Sequence, residues 1–577
     1  MKHIFLYGIL FLVFAFVGCL DDKGNYDYVK LQEPEWKKDI INLYFREGDI
    51  ARFKGHDYFN WGDDSVKREQ EVRYEWKLNG VVISEEADFE ISVKELTEKI
   101  NMTKFHSSDQ YENGIFSIIE TSTGIPYMKK FTVNIVSSRG IGDWLILSGV
   151  NSNSKLSFMR RVYDDKTQKM VLALDKDDYE SVNGHPIPGK PIGLRFSYVL
   201  KNISPAGSST VITDEGAYEI NNENLKLVGE IKDQFLDYAP SGLKVTSRTD
   251  ARESDYNAYS FIATEDGKIY QRKMSRNNLG GSFLSQPLVV DDKGYFVDNF
   301  GGRGNGYTKI PCYDKKNGRL LFTKFDEEWN DNGTPDKWDD DYSNINCKIM
   351  PAKEPSTGGG GGFPPFPSFP GGGGFPGGGG STPYTGPTAW ALPAGIEVLH
   401  LAYVGGGGMF VYVQYYAFIY NEGGKTKLGI CGIDNNTFAC TQSHQNFGIS
   451  VNYMSSRLVD FPEKLVKGES CILTTTEDGR SADGICYYIL YSKGSSVYSV
   501  AINDNYKKVT LLADFGEKIT SLAYSRAFDN CKKIVVGGEN GKIGIYDISD
   551  KKTAKKEQEF KVEGKIVAMQ QYRTNED

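Results

Sequence analysis

The sequence predicts an all-β protein, an N-terminal β-sandwich followed by a seven-bladed β-propeller-like domain that carries a Gly/Pro-rich loop insertion. Three observations predict it. Short segments of period-two apolar alternation recur along the chain. Polar turns containing Gly or Ser separate strand pairs at intervals close to the length of a propeller blade. One stretch of almost pure Gly, Pro and Phe interrupts that series. The chain has 577 residues, long enough for several domains with substantial cores.

The N-terminus sets the compartment. Lys2 and His3 precede an apolar run from Ile4 to Val17, which is short for a membrane anchor but right for a secretory signal. The predicted cut falls before Cys19, within Phe16-Val17-Gly18-Cys19. This string resembles a bacterial lipobox, with Phe16 where Leu is preferred, and implies a signal peptide over 1–18 and a lipid on Cys19. The following 19–30 form an acidic tether, in which Asp21 and Asp22 resemble the surface-export signal of Bacteroidetes lipoproteins. A plain solvated tether fits the same residues. No other stretch is long and apolar enough to cross a bilayer as a helix, so lipid would be the sole anchor.

Residues 31–137 read as a sandwich. Val72, Tyr74, Trp76 and Leu78 alternate with Glu71, Arg73, Glu75 and Lys77, the pattern of a half-buried strand. Asn79-Gly80 follows, a hairpin signal because both turn residues must take positive φ. Val81-Val82-Ile83 is the return strand, and Phe131, Val133 and Ile135 mark another. A Trp on a central strand resembles an Ig- or PKD-type module. The segment contains no Cys, so the Ig disulfide is absent and the PKD-like variant fits better.

Residues 143–577 repeat a strand–turn–strand element. Its clearest copies are Thr264-Glu265-Asp266-Gly267-Lys268-Ile269-Tyr270 and Glu539-Asn540-Gly541-Lys542-Ile543-Gly544-Ile545-Tyr546. Turns near 154, 216, 267, 318, 424, 494 and 541 give seven units. A pair of sandwiches with similar hairpins is the alternative. Lys565–Tyr572 repeats the pattern of Lys518–Tyr524 without a blade of its own, whereas Trp144–Ser148 opens a unit without a first strand. The ends should therefore pair, removing two open edges.

The insertion spans 346–391. Its segment 358–380 holds thirteen Gly, five Pro, four Phe and one Ser, a composition that cannot pack a core. Phe363, Phe366, Phe369 and Phe375 make it either a sticky flap or an inert low-complexity loop. Trp329, Trp338, Tyr384 and Trp390 flank it and could contact a ligand or partner, or simply anchor loops. Within the acidic run 326–341, Asp331, Asp336 and Asp339 suit the oxygen chemistry of Ca²⁺ but lack EF-hand spacing, so a solvated acidic loop is the competing reading. No other cofactor is suggested. Of the eight Cys, Cys431 and Cys440 would face each other if Asn435-Asn436 is a two-residue turn, giving either a disulfide or two buried thiols.

Composition narrows the function. Lys+Arg number 67 against 76 Asp+Glu, a net charge of -9 with no basic block, which argues against nucleic acid and mildly favours cationic or neutral ligands. Six His, at 3, 56, 106, 185, 400 and 444, leave little for a His-rich metal centre. No HExxH, GxSxG or GxxxxGK[ST] string occurs. The chain therefore reads as a binding protein rather than an enzyme. A propeller hydrolase of the glycosidase kind, using converging carboxylates, is the alternative.

Two strings carry a family resemblance. Cys19-Leu20-Asp21-Asp22-Lys23-Gly24-Asn25-Tyr26-Asp27-Tyr28 resembles the start of PKD-like family surface lipoproteins of Bacteroidetes. Gly142-Asp143-Trp144-Leu145-Ile146-Leu147-Ser148, followed by Lys155-Leu156-Ser157-Phe158, resembles the passage from their sandwich into the larger domain. The Gly-rich insertion is not part of that pattern. The resemblance implies a lipid-anchored outer-membrane protein facing the cell exterior, working beside a SusC/SusD-type transporter and other surface lipoproteins. Its role would be to capture or hand over an oligopeptide or a glycan, with peptide favoured by the neighbouring carboxylates and aromatics.

Overall fold

The computed structural model describes residues 33–572 except 63–64, 103–110, 137–141, 165–168, 176–177, 198–206, 253–256, 276–280, 303–308, 327–345, 354–391, 407–412, 435–439, 442–456, 477–485, 502–506, 526–531 and 551. They are nearly all β and form two compact units that divide after Val136.

The first unit has the expected Ig/PKD-like character. Its main sheet runs Ile41–Arg46, Pro126–Val136, Glu112–Glu120, Val72–Leu78, Val81–Ser84 in spatial order, with the first pair parallel. The hairpin at Asn79-Gly80 has φ of 49° and 80°, the positive values that only such residues adopt cheaply. Ile50–Lys54 pairs with Asp88–Ser92, and Glu35–Trp36 with Phe59–Asn60. Trp76 is fully buried, stacks on Phe116 at 4.2 Å and meets Phe53 edge-on at 5.2 Å. Its indole N–H donates to the Ala87 carbonyl at 3.1 Å, so the ring is satisfied as well as packed. Arg68 and Glu120, both buried, pair at 3.1 Å, with the guanidinium over the Trp61 ring.

Seven antiparallel sheets make up the described part of the second unit. The first combines Lys565–Gln571, Trp144–Val150, Asn153–Asp164 and Lys169–Asp175. The pairing expected of the chain ends is present, from Trp144↔Gln571 to Gly149↔Lys565. The others begin with Pro191–Ser197, Val245–Arg252, Pro311–Asp314, Glu397–Gly406, Ile472–Thr476 and Ile519–Ser525. In the fourth, the irregular segment 297–302 runs beside Pro311–Asp314 through a Phe300–Cys312 bridge and a Gly301 amide bonded to the Pro311 carbonyl.

Each predicted turn falls at a hairpin. Gly267, Gly318, Gly424, Gly494 and Gly541 all have positive φ, and a Cβ on Gly541 would collide with the Val562 carbonyl. Gly216 sits in the turn between Ser208–Thr213 and Ala217–Asn221. The turn expected at Ser154 lies slightly earlier, at Asn151 and Ser152 with φ of 48° and 70°, because Asn153 already pairs with Val150. The sheets also share a defect that the sequence did not announce. Val567, Ile192, Thr246, Leu399 and Thr520 are each skipped in the ladder of a first strand, a recurrent bulge that bends that strand.

Packing follows chain order. One apolar cluster joins the first and second sheets through Leu147, Phe158, Val211 and Tyr218. Further clusters join each sheet to the next, among them Ile212 with Ile262, Phe261 with Leu321, and Phe322 with Phe418. Ile430 packs with Tyr491, and Leu490 with Ile534. The seventh cluster joins the last sheet to the first, through Val535 and Ile545 against Trp144 and Met569. Gln558 reinforces that junction, accepting from the Leu172 amide and donating to its carbonyl, both at 3.1 Å.

The expected facing of Cys431 and Cys440 is corrected. The register places Cys440 opposite Ile433 and Thr441 opposite Gly432, two positions out from the predicted pair. The described strands are Lys425–Asp434 and Cys440–Thr441, and the turn expected at Asn435-Asn436 lies outside the described residues. Cys312, Cys347 and Cys471 are free thiols, of which the first two are buried and act as small core residues.

Two outcomes are expected. Deleting residues 565–577 should lower the thermal midpoint of the second unit by at least about 10 °C or cause aggregation on heating, because it strips one ladder and the buried side chains of Ile566, Met569, Gln571 and Tyr572. In the first unit, burial tends to lower the His56 pKa, but hydrogen bonds to Asp88 and Glu69 prevail and hold it above 6.5. That stabilisation is complete below pH 6.5 and is lost as pH rises through the folded value. NMR titration should show it, and Asp88→Asn should bring the midpoint down.

Candidate functional site

A cavity of 510 Å³ opens where the first strands of the second unit converge. Six first strands line it through Leu194–Phe196, Arg248 and Thr249, Tyr313, Glu397–Leu401, Ser521 and Leu522, and Val567–Gln570. The segment 298–302 supplies a further wall, and Lys467 stands before the first strand of the sixth sheet. The volume lies within the range of small-molecule sites.

Local structure sets the charged groups in place. Asp314, wholly buried, accepts from the Arg319 Nε at 2.8 Å and from the amides of Phe296 and Lys316 at 3.0 and 3.1 Å. That clamp fixes the turn carrying Lys315, whose ammonium lies 5.8 Å from the Phe296 ring centre. The Tyr313 hydroxyl donates to the Pro393 carbonyl at 2.7 Å, and the Gly395 amide to the Lys315 carbonyl at 3.0 Å. These bonds tie the lead-in to Glu397 against the same turn. Among the described residues, no ion pair engages Asp298, Lys315, Glu397 or Lys467.

Arg248 behaves differently. Its side chain is fully buried and donates to Thr210 at 2.6 Å, to Ser260 at 3.1 Å and to Glu219 at 3.1 Å. Arg272 donates to the same carboxylate at 3.2 Å, and the Ser208 hydroxyl also donates to it, at 2.7 Å. Burial alone would raise the Glu219 pKa; the two guanidiniums overcome it and hold the carboxylate far below the usual range. This network joins the second and third sheets behind the cavity wall.

Two polar atoms on lining residues have no partner. The Nε2 of His400 and the Oε1 of Gln570 are sealed from solvent and make no hydrogen bond. Burial drives the His400 pKa down to about 4, so the ring is neutral at physiological pH. The bulge at Leu399 immediately precedes it and sets which side of the strand the imidazole takes.

None of these lining residues was singled out from sequence. They are scattered over almost four hundred positions and form no local motif. Aligning the seven units on their turns and asking which polar residues sit on first strands would have found Arg195, Arg248, His400 and Gln570. The whole-chain charge of -9 also misleads here, since Arg195, Lys315 and Lys467 stand on the lining with Asp298 and Glu397. The sequence-predicted Cys19, Asp21, Asp22, Trp329, Asp331, Asp336, Trp338, Asp339, Phe363, Phe366, Phe369, Phe375, Tyr384 and Trp390 lie outside the described residues. Among the described residues no cluster of three or more His, Cys, Asp or Glu is arranged to hold a metal.

Two stability outcomes follow from this wall. Glu219→Gln leaves two buried guanidiniums without their counter-charge and should cost about 3–5 kcal/mol by denaturant unfolding. Because the folded carboxylate titrates lower than the unfolded one, its contribution is present above the unfolded value near 4.5 and is lost as pH falls through the folded value. For His400 the unfolded chain takes a proton below pH 6.5 while the folded chain does not until about 4. Stability should therefore fall between those values on acidification, and His400→Gln should flatten that part of the pH–stability curve.

No curated protein sequence matches the chain. Among solved structures, a quinonprotein alcohol dehydrogenase-like protein from Bacteroides thetaiotaomicron VPI-5482 aligns at a TM-score of 0.35 and 11% identity, covering 94% of this chain and 100% of that one. BBS1N in its complex with ARL6DN aligns at a TM-score of 0.28 and 8% identity, covering 70% and 86%. Residues 19–191, from the predicted lipidated cysteine through the sandwich to the start of the second sheet of the larger unit, match the PKD-like family.

Proposed function

We propose that the chain is a lipid-anchored protein of the outer-membrane surface, a non-catalytic ligand-binding accessory of a SusC/SusD-type, TonB-dependent uptake complex. In this reading the second unit is a seven-bladed propeller closed by its two chain ends. Support for closure comes from the seven consecutive sheet-to-sheet clusters, the last of which returns to the first sheet.

The observation that carries the binding role is the 510 Å³ cavity, whose wall offers charged and polar groups not yet engaged by the protein itself. Display at the surface rests on Cys19 and the acidic Asp21-Asp22 that follow the signal, and the PKD-like match begins at that cysteine. The loops carrying Trp329, Trp338, Tyr384, Trp390 and the four Phe of 358–380 are the proposed further contacts, with calcium at Asp331, Asp336 and Asp339 the one ion their chemistry suits. The hydrolase reading has one observation in its favour, that Asp298 and Glu397 line the same cavity.

Purification of the tagged protein from native outer membranes should bring down a TonB-dependent transporter and its lipoprotein partner. Cys19→Ala should abolish labelling by fatty acid and release the protein from the membrane. Absence of any transporter from the purified material would refute the accessory role. Hydrolysis of peptides or glycans that is lost in Asp298→Asn or Glu397→Gln would replace binding by catalysis.

A further inference from the structure

The geometry points to the ligand class: the cavity at the converging first strands is a site for a short peptide with both termini free, its carboxylate met by Lys315 and Lys467 and its ammonium by Asp298 and Glu397. This inference rests on the binding role proposed above and makes its ligand specific.

A lone unpaired lysine or acid on a surface is unremarkable, since water solvates it well. Here Arg195 donates to the Leu194 carbonyl at 3.2 Å and Arg248 is paired with Glu219, which leaves Lys315 and Lys467 with Asp298 and Glu397 on one concave wall; among the described residues none of these four is neutralised by an ion pair. They also come from one sector. Asp298 and Lys315 flank the strand Pro311–Asp314 of the fourth sheet, Glu397 opens the first strand of the fifth, and Lys467 precedes the first strand of the sixth. A ligand of a single charge would satisfy half of this set and be repelled by the other half. A zwitterion engages both halves.

The remaining lining fits the same ligand. Gln570 keeps a shielded oxygen without a donor and the neutral His400 a shielded ring nitrogen without a partner, which a ligand meets once those side chains turn toward the cavity. A peptide unit carries one N–H donor and one C=O acceptor, the complement of such a pair. A ligand that reaches them would supply the missing hydrogen bonds. A neutral glycan is the poorer fit. Sugar rings stack on open aromatic faces, but of the aromatics on this lining Phe300 and Tyr313 are buried and Phe196 is half-buried, and the Tyr313 hydroxyl is already spent on Pro393. The volume accommodates a peptide of roughly two to four residues, on the scale of ordinary small-ligand clefts.

The test uses the full mature protein and three probes: a mixed tripeptide pool with free termini, the same pool N-acetylated and C-amidated, and maltotriose. Retention is read by equilibrium dialysis and mass spectrometry. The free pool should be retained at least tenfold better than the blocked pool, and maltotriose not at all. Lys315→Met with Lys467→Met should remove the preference for a free carboxylate while sparing that for a free amine. Asp298→Asn with Glu397→Gln should do the reverse, with circular dichroism confirming that both variants fold. Equal retention of free and blocked pools, retention of maltotriose alone, or no retention of any probe would overturn the inference. Co-purification of a transporter is measured separately, so the peptide site can fail while the accessory role stands.

Discussion

The second unit depends on one pairing, that of Lys565–Gln571 with Trp144–Val150. A sheet whose first strand comes from the far end of the chain cannot be completed until the other six sheets have been laid down between. Without it the first sheet exposes an open edge, and two apolar clusters lose members at once: Tyr572 from one, Ile566 and Met569 from the other. The same strand supplies Val567–Gln570 to the cavity wall. Stability, edge protection and the site therefore share one element, the physical economy of a chain that uses its terminus as a fastener.

Buried polarity is handled in two distinct ways, and the contrast locates the site. Glu219, Arg248 and Arg272 are removed from water and bonded to one another and to Thr210, Ser208 and Ser260. Arg68 and Glu120 are paired in the same way in the sandwich. Such groups hold neighbouring elements in register. His400 and Gln570 are also shielded, yet each keeps an atom without a partner, on residues that face the cavity. What sets His400 and Gln570 apart from the other buried polar groups is their place on the lining of an open volume.

The recurrent bulge explains why the cavity has a polar lining at all. Strict alternation would give every first strand two faces, set only by register. Skipping Ile192, Thr246, Leu399, Thr520 and Val567 bends each strand and changes which residues meet the opening. His400 follows such a skip directly, and Ser521 follows another. The repeat thus carries a geometric device that its turns alone do not reveal.

The sequence by itself determined the β character, the sandwich strand around Trp76, six of the seven hairpin turns to the residue, and the pairing of the chain ends. Each of these is local in origin: period-two alternation, the positive φ that Asn and Gly tolerate, and a strand pattern left without a partner in its own unit. The tertiary structure alone decided the cavity, the buried Glu219 network and the register of Cys440 against Ile433. A site assembled from single residues of six different strands leaves no spacing to read, since its members meet only after the sheets pack. Register across a hairpin is settled only when the two strands pair, and that pairing puts Cys440 opposite Ile433, two places from Cys431. Charge shows the same divide most plainly. The net value of -9 is a property of the whole chain, whereas the mixed lining of the cavity is set by which few side chains the fold turns inward.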